Sequence, residues 1–190
     1  MKAEDKIKLF GMSHSLAERD LDKLEQKLKL DLRRNIKEDK EDVYYPQFTH
    51  FLRQEAAEMG KHYELFYCLE KSIRSLIADT LESAHGENWW ETKVPDEIKK
   101  NVKDNIKKEI DSGVTIRSED EIDYTTFGEL GEIVRKNWEN FPMFSSPKAF
   151  NKIMTSLNIL RSPIAHCCVL AEDEVVRLKL TVKDWFRLME

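Results

Sequence analysis

His62-Tyr63-Glu64-Leu65-Phe66-Tyr67-Cys68-Leu69-Glu70-Lys71-Ser72-Ile73-Arg74-Ser75-Leu76-Ile77-Ala78-Asp79-Thr80-Leu81-Glu82-Ser83-Ala84 is the longest periodic stretch of the chain. Phe66, Leu69, Ile73, Leu76, Ile77, Thr80 and Ala84 recur with a 3.6-residue period, which predicts an amphipathic helix. Gly86 supplies its stop. At 1.5 Å per residue the helix runs roughly 35 Å, the span of a small domain. Within it Glu70 and Arg74 stand at i, i+4, a spacing that also suits a plain surface ion pair.

The same period governs the segments around it. Upstream, Tyr44-Tyr45-Pro46 opens a short helix that runs to about Met59, with Gly60 either breaking or joining it to the next. Downstream, Trp89-Trp90 reads as an aromatic core plug, and Pro95 opens a highly charged helix to Asp111. Residues 112–124 read as an acidic loop. Thr125 or Thr126 caps a helix striped by Phe127, Leu130, Ile133, Val134 and Trp138. Ser146-Pro147 pairs an N-cap with a first-turn proline and opens a helix through Phe150, Ile153, Met154, Leu157 and Leu160. Glu172-Asp173-Glu174 lies in the first turn of the last helix, where the dipole favours acids. Few breakers (6 Gly and 5 Pro in 190 residues) and 35% charged residues agree with an all-α fold.

Residues 13–34 form a further striped segment through Leu16, Leu21, Leu24, Leu28 and Leu32, and residues 35–42 are almost wholly charged. The expected organisation is therefore an N-terminal helical arm with a charged linker over 1–42 and a helical domain over 43–190. The arm is suited to packing on its own domain or on a partner protein. No apolar run reaches the roughly 18 residues a membrane span needs, and the N-terminus lacks a secretory h-region, so a cytoplasmic location is expected. Three cysteines without a C-x-x-C pair and scattered histidines give no zinc pattern, so neither metal nor cofactor is expected. The net charge of −5 speaks against a broad nucleic-acid surface and leaves room for a small cationic cleft.

Arg161-Ser162-Pro163-Ile164-Ala165-His166 carries the chemistry. A guanidinium is a permanent planar cation matched to phosphate oxygens. An imidazole exchanges a proton near neutral pH. On one straight helix, residues five apart diverge by about 140°. Ser162-Pro163 predicts a helix end near Arg161 and a new helix from Pro163, a break that would turn both side chains toward one place.

The order of these features, from Tyr63–Arg74 through Trp89-Trp90 and Tyr124–Leu130 to Asn158–His166 and Trp185, resembles the HEPN superfamily with its R-x4-6-H motif. It is most similar to the branch found in mRNA-surveillance endoribonucleases and bacterial conflict and defence proteins. The resemblance covers about residues 60–189. It implies a HEPN-like helical bundle and a homodimer whose two R-x4-H faces line one cleft. It also implies metal-independent RNA cleavage through attack by the ribose 2′-OH, of a defence or toxin type. In that reading Arg161 neutralises the phosphate and His166 is the general acid/base. Glu70 orients Arg161, Arg74 assists the phosphate, and Ser162 supports from the position after the arginine. Members that cut RNA commonly carry Asn or another polar amide or acid at that position. The alternative is a non-catalytic HEPN module that binds nucleotide, RNA or a partner protein. In either reading a partner protein could also act as an inhibitor.

Overall fold

Helix α1 (His50–His85) is the longest helix among the described residues. At 1.5 Å per residue its 36 residues run about 54 Å. Thr49 caps it, its hydroxyl accepting from the Leu52 amide, and Gly86 ends it at φ 74°. The expected start at Tyr44-Tyr45-Pro46 lies outside the described residues. This computed structural model describes residues 47–190 together with Ala17, Asp20, Leu21, Lys23, Leu24, Lys27 and Leu28.

Gly60 does not break α1. A Cβ built on it meets nothing within 4 Å, so Gly60→Ala is sterically free. Because glycine in a helix interior costs roughly 0.5–1 kcal/mol relative to alanine, the substitution raises stability by about that amount. Thermal unfolding followed by circular dichroism measures it. A neutral or destabilising result would mean that two helices meet at Gly60.

The remaining elements are α2 (Trp89–Lys93), α3 (Asp96–Asp111), α4 (Phe127–Lys136), α5 (Pro147–Ala165) and α6 (Glu172–Arg187). Short 3₁₀ turns at Glu121–Tyr124 and Trp138–Asn140 join them. Among the described residues there is no strand, and no helix is long and apolar enough to cross a membrane. Helix α5 packs against α6, α4 and α1, and α4 also packs against α1.

The caps explain the boundaries. Thr126 and Glu129 form a full capping box at α4, satisfying two amide donors reciprocally. Ser146 accepts from the Ala149 amide ahead of Pro147 and starts α5. The buried stripe of α1 (Phe66, Leu69, Ile73, Ile77, Leu81) meets Leu130, Ile133, Val134, Phe150, Leu157 and Leu178 in one core. Trp89 and Trp90 are buried in it edge to face, as a core plug. Phe141, Phe144, Phe150, Trp138 and Trp185 pack as an aromatic cluster that ties α5 to α6.

The chain divides into two compact units, Met1–Phe48 and Thr49–Glu190. In the first, the residues described between 17 and 28 are helical. Leu21, Leu24 and Leu28, the expected packing stripe, are exposed there, 37%, 47% and 57% accessible. The expected charged linker, residues 35–42, lies outside the described residues.

Candidate functional site

One expectation about the motif is corrected by the structure. There is no helix break between Arg161 and His166: α5 runs without interruption from Pro147 to Ala165, with Pro163 inside it and His166 as its C-cap. The Ser-Pro pair therefore has two outcomes in this chain. Ser146 is extended and caps α5, whereas Ser162 is helical. Proline is tolerated at 163 because the bond it forfeits would have gone to the Ile159 carbonyl, on an exposed residue where water can replace it.

The helix then closes on the residues just past the motif. The His166 amide donates to the Ser162 carbonyl, and the Cys168 amide reaches back to the Pro163 carbonyl. Cys167 sits between them at φ 55°, in the left-handed region that glycine usually fills at such a helix end. A non-glycine residue held there stores backbone strain on the order of 1–2 kcal/mol.

Arg161 and Glu70 come together from positions 91 residues apart. The Arg161 Nε donates to Glu70 Oε2 at 2.9 Å, and Arg74 Nη2 donates to Glu70 Oε1 at 2.6 Å. Glu70 is buried on the core side of α1, so its carboxylate divides between two guanidinium groups with no water needed. Arg74 is further fixed by the carbonyls of Ile122 and Thr125, at 3.2 and 2.9 Å. Arg161 lines a cleft, and its side chain is 38% exposed. That cleft is lined by Tyr63, Tyr67, Lys71, Arg74, Arg161 and Ile164, among others.

The sequence-predicted site residues thus separate into two groups. Glu70, Arg74 and Arg161 meet in the cleft. Ser162 and His166 are exposed, and neither lines it. With α5 unbroken, His166 leaves the helix about 140° around from Arg161. Sequence reasoning did not give a site role to Tyr63, Tyr67, Lys71 or Asp123. The available signal was that Tyr63 and Tyr67 are aromatic, four apart, and off the apolar stripe of α1.

Asp123 anchors the far side of the node. Lys71 donates to it at 3.1 Å, and Arg74 Nε lies 3.9 Å away. Partial burial pushes its carboxyl up, but hydrogen bonds from Lys71 and Ser118 and the charges of Lys71 and Arg74 outweigh this and hold it below its ordinary range. A carboxyl depressed in the folded state stabilises the fold above its unfolded value, and that stability is lost as the pH falls through the lower folded value. The acid side of the stability profile, from about pH 4 downward, is therefore expected to be flatter in Asp123→Asn, with the same slope above it. Thermal midpoints measured across that range check this.

Among the described residues, no group of three His, Cys, Asp or Glu side chains is arranged to hold a metal ion.

An all-helical bundle that carries arginine and histidine five residues apart at the end of one helix, with a buried acid behind the arginine, is the arrangement expected of a HEPN domain. The chain belongs to the Swt1-like HEPN family, which matches residues 64–190. Neither the curated proteins nor the solved structures gave a match.

Proposed function

We propose that this protein is a metal-independent endoribonuclease and that its site is the Arg161 cleft completed by His166. The observation that carries the reading is the fixing of Arg161 by buried Glu70 at the mouth of a cleft shared with Lys71 and Arg74. A guanidinium held from behind keeps its remaining N–H groups aimed at an incoming phosphate and needs no reorganisation as charge builds.

In the proposed reaction the ribose 2′-oxygen attacks the adjacent phosphorus. The P–O5′ bond breaks, leaving a 2′,3′-cyclic phosphate and a 5′-hydroxyl. Arg161 offsets the charge on the phosphorane. His166 takes the 2′-OH proton or supplies one to the leaving 5′-oxygen. DNA has no 2′-OH and is not a substrate.

Because Arg161 and His166 diverge on one continuous helix, the complete site in this reading is composite. Two copies pair around a two-fold axis, and each cleft takes His166 from the other copy. Exposed Ile159 and Val169 flank the motif and suit such a contact. A defence or toxin role is the physiological setting that goes with this chemistry.

A second reading, a non-catalytic HEPN module for nucleotide, RNA or a partner protein, is favoured by one observation. Both arginines are already engaged by Glu70, and His166 does not line the cleft. Incubation with RNA in EDTA separates the two. The enzyme yields 2′,3′-cyclic ends that His166→Ala does not, and the binding module yields none with either protein.

A further inference from the structure

We propose that Tyr63 and Tyr67 form a seat for one unpaired nucleobase beside the Arg161 phosphate position, so that the RNA taken by this cleft is single-stranded. This rests on the reading of the cleft as an RNA site and adds the form of the strand.

Four observations lead to it. First, Tyr63 and Tyr67 are 59% and 55% exposed and line the same cleft as Arg161. Second, they stand one turn apart with ring centroids 6.1 Å apart and planes at 35°, a paired aromatic surface rather than two unrelated side chains. Third, Lys71, Arg74 and Arg161 on the same cleft wall face the two carboxylates of Glu70 and Asp123, which leaves one positive charge in excess in a chain of net charge −5. Fourth, the free space in the cleft is about 150 Å³, the size of a cavity that admits a single six-membered ring.

Aromatic faces set beside backbone-facing cations are how proteins hold single strands, because every base has a π-face and every nucleotide a phosphate. In a duplex the bases are stacked inside the helix and their faces are not available to side chains. A ring on the tyrosine wall places its own phosphate toward the guanidinium of Arg161. That placement fixes which phosphodiester reaches the charged end of the cleft.

The test uses the full chain and a 2′-O-methyl RNA oligonucleotide, which cannot be cut because its 2′-oxygen carries no proton. Expected results are clear binding of the single strand and weaker binding of its duplex. Tyr63→Leu and Tyr67→Leu each weaken single-strand binding about tenfold, within the range for loss of one stacked base. Tyr63→Phe and Tyr67→Phe bind like wild type, since the ring and not the hydroxyl is used. An oligonucleotide with one abasic position placed in register binds wild type as weakly as the intact strand binds the leucine variants. The proposal is overturned if duplex and single strand bind equally, or if the leucine variants bind like wild type. It is also overturned if the leucine variants change the mass of the particle in light scattering, which would assign the tyrosines to a contact between copies. Cleavage is not read here. Tyrosine-dependent binding in a protein that cuts no RNA would retain the base seat and discard only the nuclease.

Discussion

His166→Ala is expected to lower RNA cleavage by about 10²–10⁴-fold, the usual worth of a general acid/base, with RNA binding near wild type because the loss in the proposed reaction is kinetic. Arg161→Ala is expected to cost on the order of 3 kcal/mol of transition-state stabilisation in the proposed reaction, roughly a hundredfold or more in rate. It also weakens RNA binding and gives a shallower salt dependence, since one phosphate contact is gone. Neither variant is expected to unfold, because His166 is exposed and Arg161 is only partly covered. Mixing the two inactive proteins tests the composite cleft. Half of the dimers are then mixed and each mixed dimer keeps one whole site, so about a quarter of the wild-type rate returns. No recovery on mixing would place Arg161 and His166 of one copy in the same site. Wild-type protein that binds RNA in EDTA without producing cyclic ends, indistinguishable from both variants, would hand the site to the binding-module reading.

Glu70→Ala is expected to destabilise the fold by about 2–3 kcal/mol. The carboxylate is buried and serves two guanidinium groups at 2.6 and 2.9 Å. Removing it leaves the largely covered Arg74 without its shortest charge partner, and an uncompensated buried charge costs more than the pair contributed. The loss stays below the roughly 3–5 kcal/mol of a fully buried broken pair. Arg74 retains the Ile122 and Thr125 carbonyls, and Arg161 can turn to water. Glu70→Gln keeps the shape and one acceptor oxygen and is expected to lose about half as much. Both variants also release Arg161 from its fixed direction, so cleavage falls even at temperatures where the fold is intact. Chemical unfolding measures the first effect and single-turnover cleavage the second. Stability unchanged in Glu70→Ala would show that the node is solvated in solution.

The periodic stripes were sufficient for the helices. Phe66 to Ile77, Phe127 to Val134 and Phe150 to Leu160 carry the 3.6 period, and Thr126-x-x-Glu129 and Ser146-Pro147 mark the starts of the last two through local hydrogen bonds that need no partner from elsewhere. The R-x4-H motif was legible for the same reason, as its residue types state their chemistry.

What the sequence could not decide by itself was the conformation at Ser162-Pro163 and the company of Arg161. The Ser-Pro pair is the same dipeptide at 146–147 and at 162–163, and local propensity favours a helix start at both. Packing of Leu157 and Leu160 into the core holds α5 helical past the second pair, and burial outweighs one forfeited hydrogen bond. The Glu70–Arg161 pair joins residues 91 apart, and Lys71–Asp123 joins residues 52 apart. No local pattern encodes such distances. They exist only once α1 and α5 share a core. The sequence by itself determined a helical bundle with an arginine and a histidine at the end of one helix. Tertiary packing alone decided that the arginine meets a buried acid in an aromatic-walled cleft and that the histidine of the same copy does not line it.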